Sequence, residues 1–307
     1  MYWALGLLVL GFVLWPFLAE ALRKPMDPVL RAEASGSFVE LAGGVTHYRW
    51  DGPEGGPVVV LVHGISSPSQ VWDAVIPGIV GLGFRVLRYD HYGRGYSDRL
   101  TLGMSDQRYL DQLDELLSSQ GVEGRVSLIG YSMGGQIATD FTAKDPDRIQ
   151  HLCLIAPAGM LTHFSGADRL ARDLWGFGDW YCRGFGALRF QKELESMDAG
   201  TYLPTLRETL IEETKTRGNA PAMLADRRDV LRFPDIAEHK RIARASVPVG
   251  AVFGSGDTVI PPHAADLLAD WNAEAKITMV NGAGHGLPYT HPDQVVRAFA
   301  DLTDAYL

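Results

Sequence analysis

The sequence of 307 residues predicts an α/β fold, a mostly parallel sheet with helices on both faces and a helical insertion. Three observations predict it. Short, nearly continuous apolar runs recur along the chain with amphipathic stretches between them, the pattern of strands buried on both faces. Several of these runs end in glycine-rich turns that hold a serine, an aspartate or a histidine, so polar chemistry gathers at strand ends. About ninety residues separate the run ending near Ala156 from the one beginning at Val247, too many for a single crossover helix.

The elements follow in chain order. Residues 1–19 carry no charge and would span about 28 Å as a helix, close to the hydrocarbon thickness of a bilayer. Residues 1–24 therefore read as a retained membrane anchor, with Arg23 and Lys24 keeping that flank, and the domain after it, on the cytoplasmic side. One alternative is a signal peptide cleaved near Ala19-Glu20-Ala21, giving a secreted or periplasmic protein, although no basic region precedes the apolar run. The other, a buried core helix, suits poorly a terminal stretch that is apolar on every side. Residues 25–37 read as a linker. Strands are expected at 38–41, 45–50, 58–62, 84–89, 126–129, 151–155, 247–253 and 277–280, the first of them antiparallel. The core then divides into 36–158 and 218–307 around a helical lid at 159–217, and a helix near 220–231 returns the chain to the core.

Composition narrows the function classes. Charged residues at 21% and hydrophobic ones at 46% describe a globular chain. A net charge of −9 with no basic run speaks against nucleic-acid binding. Two cysteines, Cys153 and Cys182, suggest neither a disulfide framework nor a metal site. No histidine pair at helical spacing and no phosphate-cradling glycine motif is visible, so no metal and no cofactor is expected.

The sharpest motif is Gly130-Tyr131-Ser132-Met133-Gly134, between the strand at 126–129 and a helix-like stretch at 135–144. Glycines flanking a serine let the chain turn sharply from strand to helix and hold the hydroxyl exposed. A serine hydroxyl at neutral pH needs a base, and the base needs a group that fixes its tautomer. Two later loops supply these: Gly254-Ser255-Gly256-Asp257 and Asn281-Gly282-Ala283-Gly284-His285-Gly286. Ser132 is thus the expected nucleophile, His285 the base and Asp257 the orienting acid. Asp90, also at a strand end, competes with Asp257 but precedes the nucleophile, and is expected to bind backbone N–H groups in the Gly93 to Gly95 turn. The oxyanion donors are expected to be the N–H groups of Met133, which opens the helix, and Ile65, in the loop His63-Gly64-Ile65-Ser66. His63 is expected to brace that loop. The remaining histidines take structural parts, with His163, His239, His263 and His291 solvated or at helix starts. The lid opens with Trp175, Phe177, Trp180, Tyr181, Phe185 and Phe190. These rings read either as the lid's own core or as an acyl pocket or bilayer contact, and Trp175 and Trp180 are the substrate-binding candidates.

Taken together, five motifs in order resemble the α/β-hydrolase superfamily: the strand with His63-Gly64, the Arg88-Tyr89-Asp90-His91-Tyr92-Gly93-Arg94-Gly95-Tyr96-Ser97 segment, the elbow at Ser132, the acid loop ending in Asp257, and Gly284-His285. The resemblance covers most of the chain and looks closest to lid-bearing bacterial hydrolases and membrane-anchored monoacylglycerol lipases. It implies a serine hydrolase that cleaves small-molecule or lipid carboxylic esters through an acyl-enzyme. Ser132 at the elbow argues against epoxide hydrolases and haloalkane dehalogenases, which carry aspartate there. The carbon–carbon hydrolases of aromatic degradation share Ser132-Met133-Gly134-Gly135 and Pro146-Asp147-Arg148, and form the alternative; Gly286, where they typically carry Trp, departs from them. A binding protein on a hydrolase scaffold is a third class, disfavoured by the intact serine, acid and histidine.

Overall fold

Every expected strand forms, and all eight join one sheet: β1 (Ser37–Leu41), β2 (Gly44–Asp51), β3 (Val58–Val62), β4 (Arg85–Tyr89), β5 (Val126–Tyr131), β6 (Ile149–Ile155), β7 (Val249–Gly254) and β8 (Lys276–Val280). The computed structural model describes residues 2–100, 104–161, 163–195, 197, 202–232 and 234–305; of the spans expected above, residues 1, 101–103, 162, 196, 198–201, 233, 306 and 307 lie outside it. The strand order is β1-β2-β4-β3-β5-β6-β7-β8. The β1/β2 and β2/β4 pairs are antiparallel and the other pairs parallel, as the sequence predicts. From β3 the chain winds outward to β4, then returns to the opposite side of β3 as β5. That reversal leaves a crevice at the carboxyl ends of β3 and β5, where ligands bind in open α/β sheets.

The helices are α1 (Tyr2–Ala21), α2 (Pro28–Arg31), α3 (Ile76–Gly81), α4 (Asp106–Ser119), α5 (Met133–Lys144), α6 (Gly166–Asp173), α7 (Phe177–Tyr181), α8 (Ala187–Glu195), α9 (Leu206–Glu213), α10 (Asn219–Arg228), α11 (Ile236–Arg244), α12 (Ala264–Trp271), α13 (Leu287–Thr290) and α14 (Pro292–Thr303). Alternation along the strands splits the core into two layers. Val60, Val62 and Leu128 face α4, α5, α11 and α12, whereas Val59, Leu61 and Ile129 face α3 and α14. Because β5 and β7 are buried along their whole length, they read in sequence as unbroken apolar runs.

Helices α6 to α11 lie between β6 and β7. The helix expected at 220–231 is α10, and it joins the inserted helices to the core. It packs on α6, α7 and the π-helical turn Cys182–Gly186, while its Asp226 accepts from Tyr109 of α4 at 2.8 Å and pairs with buried Arg94. His239 departs from its expected solvated place: it lies on the inner face of α11, fully buried, with its ring 5.7 Å from Trp271. Among the described residues, α1 is the one helix long and apolar enough to cross a membrane, and most of it is exposed.

Candidate active site

The elbow forms as the glycines predict. Ser132 has φ 54° and ψ −122°, a left-handed conformation that a serine adopts only when its surroundings enforce it. They do so at close range. A Cβ on Gly134 would run into the carbonyls of Val62 and His63, one on Gly130 into the Gly134 carbonyl, and one on Gly135 would meet Pro157 at 2.6 Å. The Ser132 carbonyl accepts from Gly135 and Ala158, both at 2.9 Å, and its N–H donates to Ile155 at 3.0 Å. Every backbone polar group of the serine is therefore committed, and the side chain is left facing the carboxyl edge of the sheet.

The structure brings the three expected residues together. His285 Nε2 lies 3.0 Å from Ser132 Oγ, and its Nδ1 lies 2.8 Å from Asp257 Oδ2. Asp257 Oδ1 accepts the N–H groups of Val259 and Ile260 at 2.8 and 2.9 Å, which fixes the carboxylate plane. With both carboxylate oxygens accepting, Nδ1 of His285 must carry its proton, and Nε2 is left to accept from the serine. Ser132 and Asp257 are buried, and the His285 side chain is 21% exposed, with its ring 5.2 Å from Tyr131.

The loop carrying Ile65 lies against the elbow: a Cβ on Gly64 would come within 3.2 Å of the Ser132 Cβ. His63 Nδ1 donates to the Gly64 carbonyl at 2.8 Å, and that carbonyl belongs to the same trans peptide as the Ile65 N–H. Holding the carbonyl turns the N–H the opposite way. His63 Nε2 accepts the His91 N–H at 2.9 Å, so the ring works as a neutral brace. Burial pushes its pKa down to about 4, which keeps it neutral. Arg94, buried in the next turn, donates from Nε to the Ile65 carbonyl at 2.6 Å. Sequence reasoning did not single out Arg94; a charged residue held inside Gly93-Arg94-Gly95 was the available signal. Met133 opens α5, so its N–H has no carbonyl one turn back to bind.

Asp90 takes a structural part, on different donors from those expected. It accepts from Ser69 N–H at 2.8 Å, from His47 Nδ1 at 2.7 Å and from the N–H of Tyr96, one residue beyond the Gly93 to Gly95 turn, at 3.0 Å. Burial alone would raise its pKa, but these bonds and the His47 charge outweigh it and hold the carboxyl below its usual range. Trp175 and Trp180 are engaged elsewhere than an enclosed acyl pocket. Trp175 is 78% exposed with the Arg228 guanidinium 4.5 Å from its ring, and Trp180 packs on Phe12 of α1 at 4.8 Å. An open cavity of about 770 Å³ is lined by Gly159 and Met160, just after β6, by Asp168, Arg172 and Arg189 of the inserted helices and by Thr258, the neighbour of Asp257; Ser132, Asp257 and His285 are not among the residues that line it.

Behind the elbow helix, Asp140, Asp235 and Glu238 bring carboxylate oxygens within 4.8 Å of one another, the one such group among the described residues. Burial first, and the neighbouring acids second, push Asp140 and Asp235 far above the usual carboxylate range. A raised carboxyl favours folding while it is protonated. As pH climbs from about 4, the unfolded chain sheds that proton first, and stability falls until pH passes the folded value. Asp140→Asn is accordingly expected to raise the melting temperature by a few degrees at pH 8 and hardly at all at pH 4. Equal shifts at both pH values would show that Asp140 gains no proton on folding.

The model of the alpha/beta hydrolase family matches residues 59–298. The chain is 28% identical over 262 residues to a pimeloyl-[acyl-carrier protein] methyl ester esterase of Nitrosomonas europaea, covering 80% of this chain and 96% of the relative. It is 25% identical over 269 residues to a bifunctional esterase/perhydrolase of Acinetobacter calcoaceticus, covering 84% and 96%. Among solved structures it is similar to a hydrolase from Pseudomonas aeruginosa, with TM-score 0.70, 23% identity and coverage of 88% and 98%. An enol-lactonase from Burkholderia xenovorans is similar with TM-score 0.68, 21% identity and coverage of 87% and 100%. These two likenesses concern the fold.

Proposed function

From the premise that this chain belongs to the alpha/beta hydrolase family, we propose that it is a serine esterase acting on carboxylic esters with an apolar acyl group. The observation that carries the reading is the hydrogen-bond chain from Ser132 through His285 to Asp257, at 3.0 and 2.8 Å. Two curated relatives named as esterases support the reaction class. In this reading Ser132 Oγ attacks the ester carbonyl while His285 Nε2 takes its proton. The N–H groups of Ile65 and Met133 bind the oxyanion, the latter aided by the positive end of α5. His285 then gives its proton to the departing alcohol, leaving an acyl group on Ser132. Water, deprotonated by His285, attacks that acyl carbonyl and releases the acid. Asp257 holds the Nδ1 proton throughout and stabilises the imidazolium.

The helices of residues 159–217 act as a lid over this site, between core parts 36–158 and 218–307. Helix α1, within residues 1–24, anchors the enzyme in a membrane, with Arg23 and Lys24 placing the catalytic domain on the cytoplasmic face. A signal peptide fits this chain less well, because cleavage after Ala21 would remove Glu20, whose Oε1 accepts the Gly218 N–H at 2.6 Å.

A panel of p-nitrophenyl esters tests the substrate class. Each methylene moved into an apolar pocket contributes roughly 0.8 kcal/mol, so a pocket that accepts four more carbons, as from acetyl to hexanoyl, is expected to raise kcat/KM by up to about two orders of magnitude. A flat profile, or turnover of a coloured vinylogous diketone in place of esters, would refute the apolar-ester reading.

A further inference from the structure

We propose that α1 and the lid form one membrane-inserted unit, in which the lid's outer apolar face sits in the lipid bilayer beside the helix and substrate is an ester drawn from that bilayer. The proposal rests on reading α1 as an anchor and Ser132 as the nucleophile.

The first argument lies inside α1. Pro16 has no N–H, so it leaves the carbonyl four residues earlier, that of Phe12, without its helical donor. In hydrocarbon an unpaired backbone carbonyl is costly, and spanning helices survive a proline only where a neighbour supplies a donor. Here the lid supplies it: the indole Nε1 of Trp180 donates to the Phe12 carbonyl at 3.2 Å, with the two rings 4.8 Å apart. Pro16 itself is buried, 3.1 Å from where a Cβ on Gly184 would stand, so the lid backbone approaches the proline closely.

The second argument is the fastening at the polar end of the helix. Arg23, which pairs with Glu20 at 2.6 Å, donates from Nη2 to the Arg183 carbonyl of the lid at 3.1 Å, and Lys24 bridges Thr216 in a short parallel pairing, while Glu20 itself reaches Gly218 where the second core part begins. The lid therefore grips α1 from Phe12 to Lys24. At 1.5 Å per residue, Phe12 lies about 12 Å along the axis from Glu20. With Glu20, Arg23 and Lys24 at headgroup level, the Trp180 contact falls inside the acyl layer, near the depth at which interfacial elements bury their apolar faces.

The third argument is what the lid leaves uncovered. Leu170, Leu174, Phe177 and Leu188 are each at least 45% exposed; Phe177 stacks on Trp180, 6.1 Å away, and the Leu174 carbonyl accepts the Gly178 N–H at 2.8 Å, so the part of this surface formed where α6 meets α7 adjoins the α1 contact. A patch of this kind on a soluble chain marks a docking surface. The bilayer is the occupant favoured here, because α1, 20 residues long and exposed over most of its length, fits the same medium.

The test uses the full chain in vesicles of phosphatidylcholine and phosphatidylglycerol. Spin labels are placed at Leu174→Cys and Leu188→Cys, with Glu123→Cys on the exposed core surface as reference; the native thiols, Cys153 and Cys182, are buried. Oxygen is expected to relax the labels at 174 and 188 more than a water-soluble nickel chelate does, and the reverse at 123. Labels at 174 and 188 that behave like the one at 123, or that show dipolar broadening from a second copy, would overturn the proposal. In a parallel arm, Leu174→Glu with Leu188→Glu is expected to lower kcat/KM for a vesicle-borne octanoyl ester at least tenfold while turnover of a soluble butyryl ester stays within twofold. Unchanged vesicle turnover would also overturn it. Failure of the unmodified chain to take a fluorophosphonate probe would sink the esterase reading alone, since the spin-label arm needs no turnover.

Discussion

Ser132→Ala is expected to lower ester turnover by at least about 10⁴-fold and to abolish fluorophosphonate labelling, with the fold retained. The size follows from what the substitution removes. Alanine keeps the oxyanion donors and the His285–Asp257 pair but has no atom to bond to the acyl carbon, so only binding and oxyanion stabilisation remain. The fold should persist because the turn is fixed by contacts the side chain does not make: the Gly134 approach to Val62 and His63, and the backbone bonds to Ile155, Gly135 and Ala158. Circular dichroism and melting temperature check that half. A variant retaining more than a few per cent of turnover would move the nucleophile elsewhere, with Ser66 and Ser97 next in line. Ser97 is the weaker of these, because its hydroxyl already donates to the Asp90 carbonyl at 2.6 Å.

His285→Ala is expected to be about as severe, and Asp257→Asn milder, losing about 10²- to 10⁴-fold. Without the imidazole no group near Ser132 takes its proton. In the Asp257→Asn variant the imidazole remains, but an amide can present its NH₂ to Nδ1 and select the tautomer whose Nε2 bears hydrogen and cannot accept from the serine. The paired control is Asp90→Asn. The bonds of Asp90 go to Ser69, Tyr96 and His47, so this substitution should lower the melting temperature far more than kcat. An Asp90→Asn protein that is folded but dead, beside a fully active Asp257→Asn, would reverse the assignment of the acid.

Local patterns made the sheet and the serine, histidine and aspartate legible. Central strands such as β5 and β7 are buried on both faces, so they announce themselves as apolar runs with no partner needed to interpret them. Ser132, Asp257 and His285 each follow a strand within a few residues of glycine; at Gly130, Gly134 and Gly254 a side chain would run into backbone, and Gly282, ahead of His285, has a positive φ that favours glycine. What escaped the sequence depends on residues far apart in the chain. Nothing near Trp180 says that its indole meets a carbonyl 168 residues earlier, and nothing near Arg94 says that it holds the Ile65 carbonyl. His239 looked solvated because a nine-residue helix rich in Lys and Arg conceals which of its faces turns inward.

The backbone of Ser132 sets a limit on how this protein can evolve. A left-handed conformation at a non-glycine residue costs about 1–3 kcal/mol, a sizeable share of the stability a single domain retains. Glycine would relieve it and remove the hydroxyl that the proposed mechanism uses as nucleophile, so in that reading selection for robustness and selection for turnover pull against each other at this one position. The surroundings must carry the difference, and that leaves Gly130, Gly134 and Gly135 little room to drift: any side chain there would meet backbone or proline before it could offer compensation.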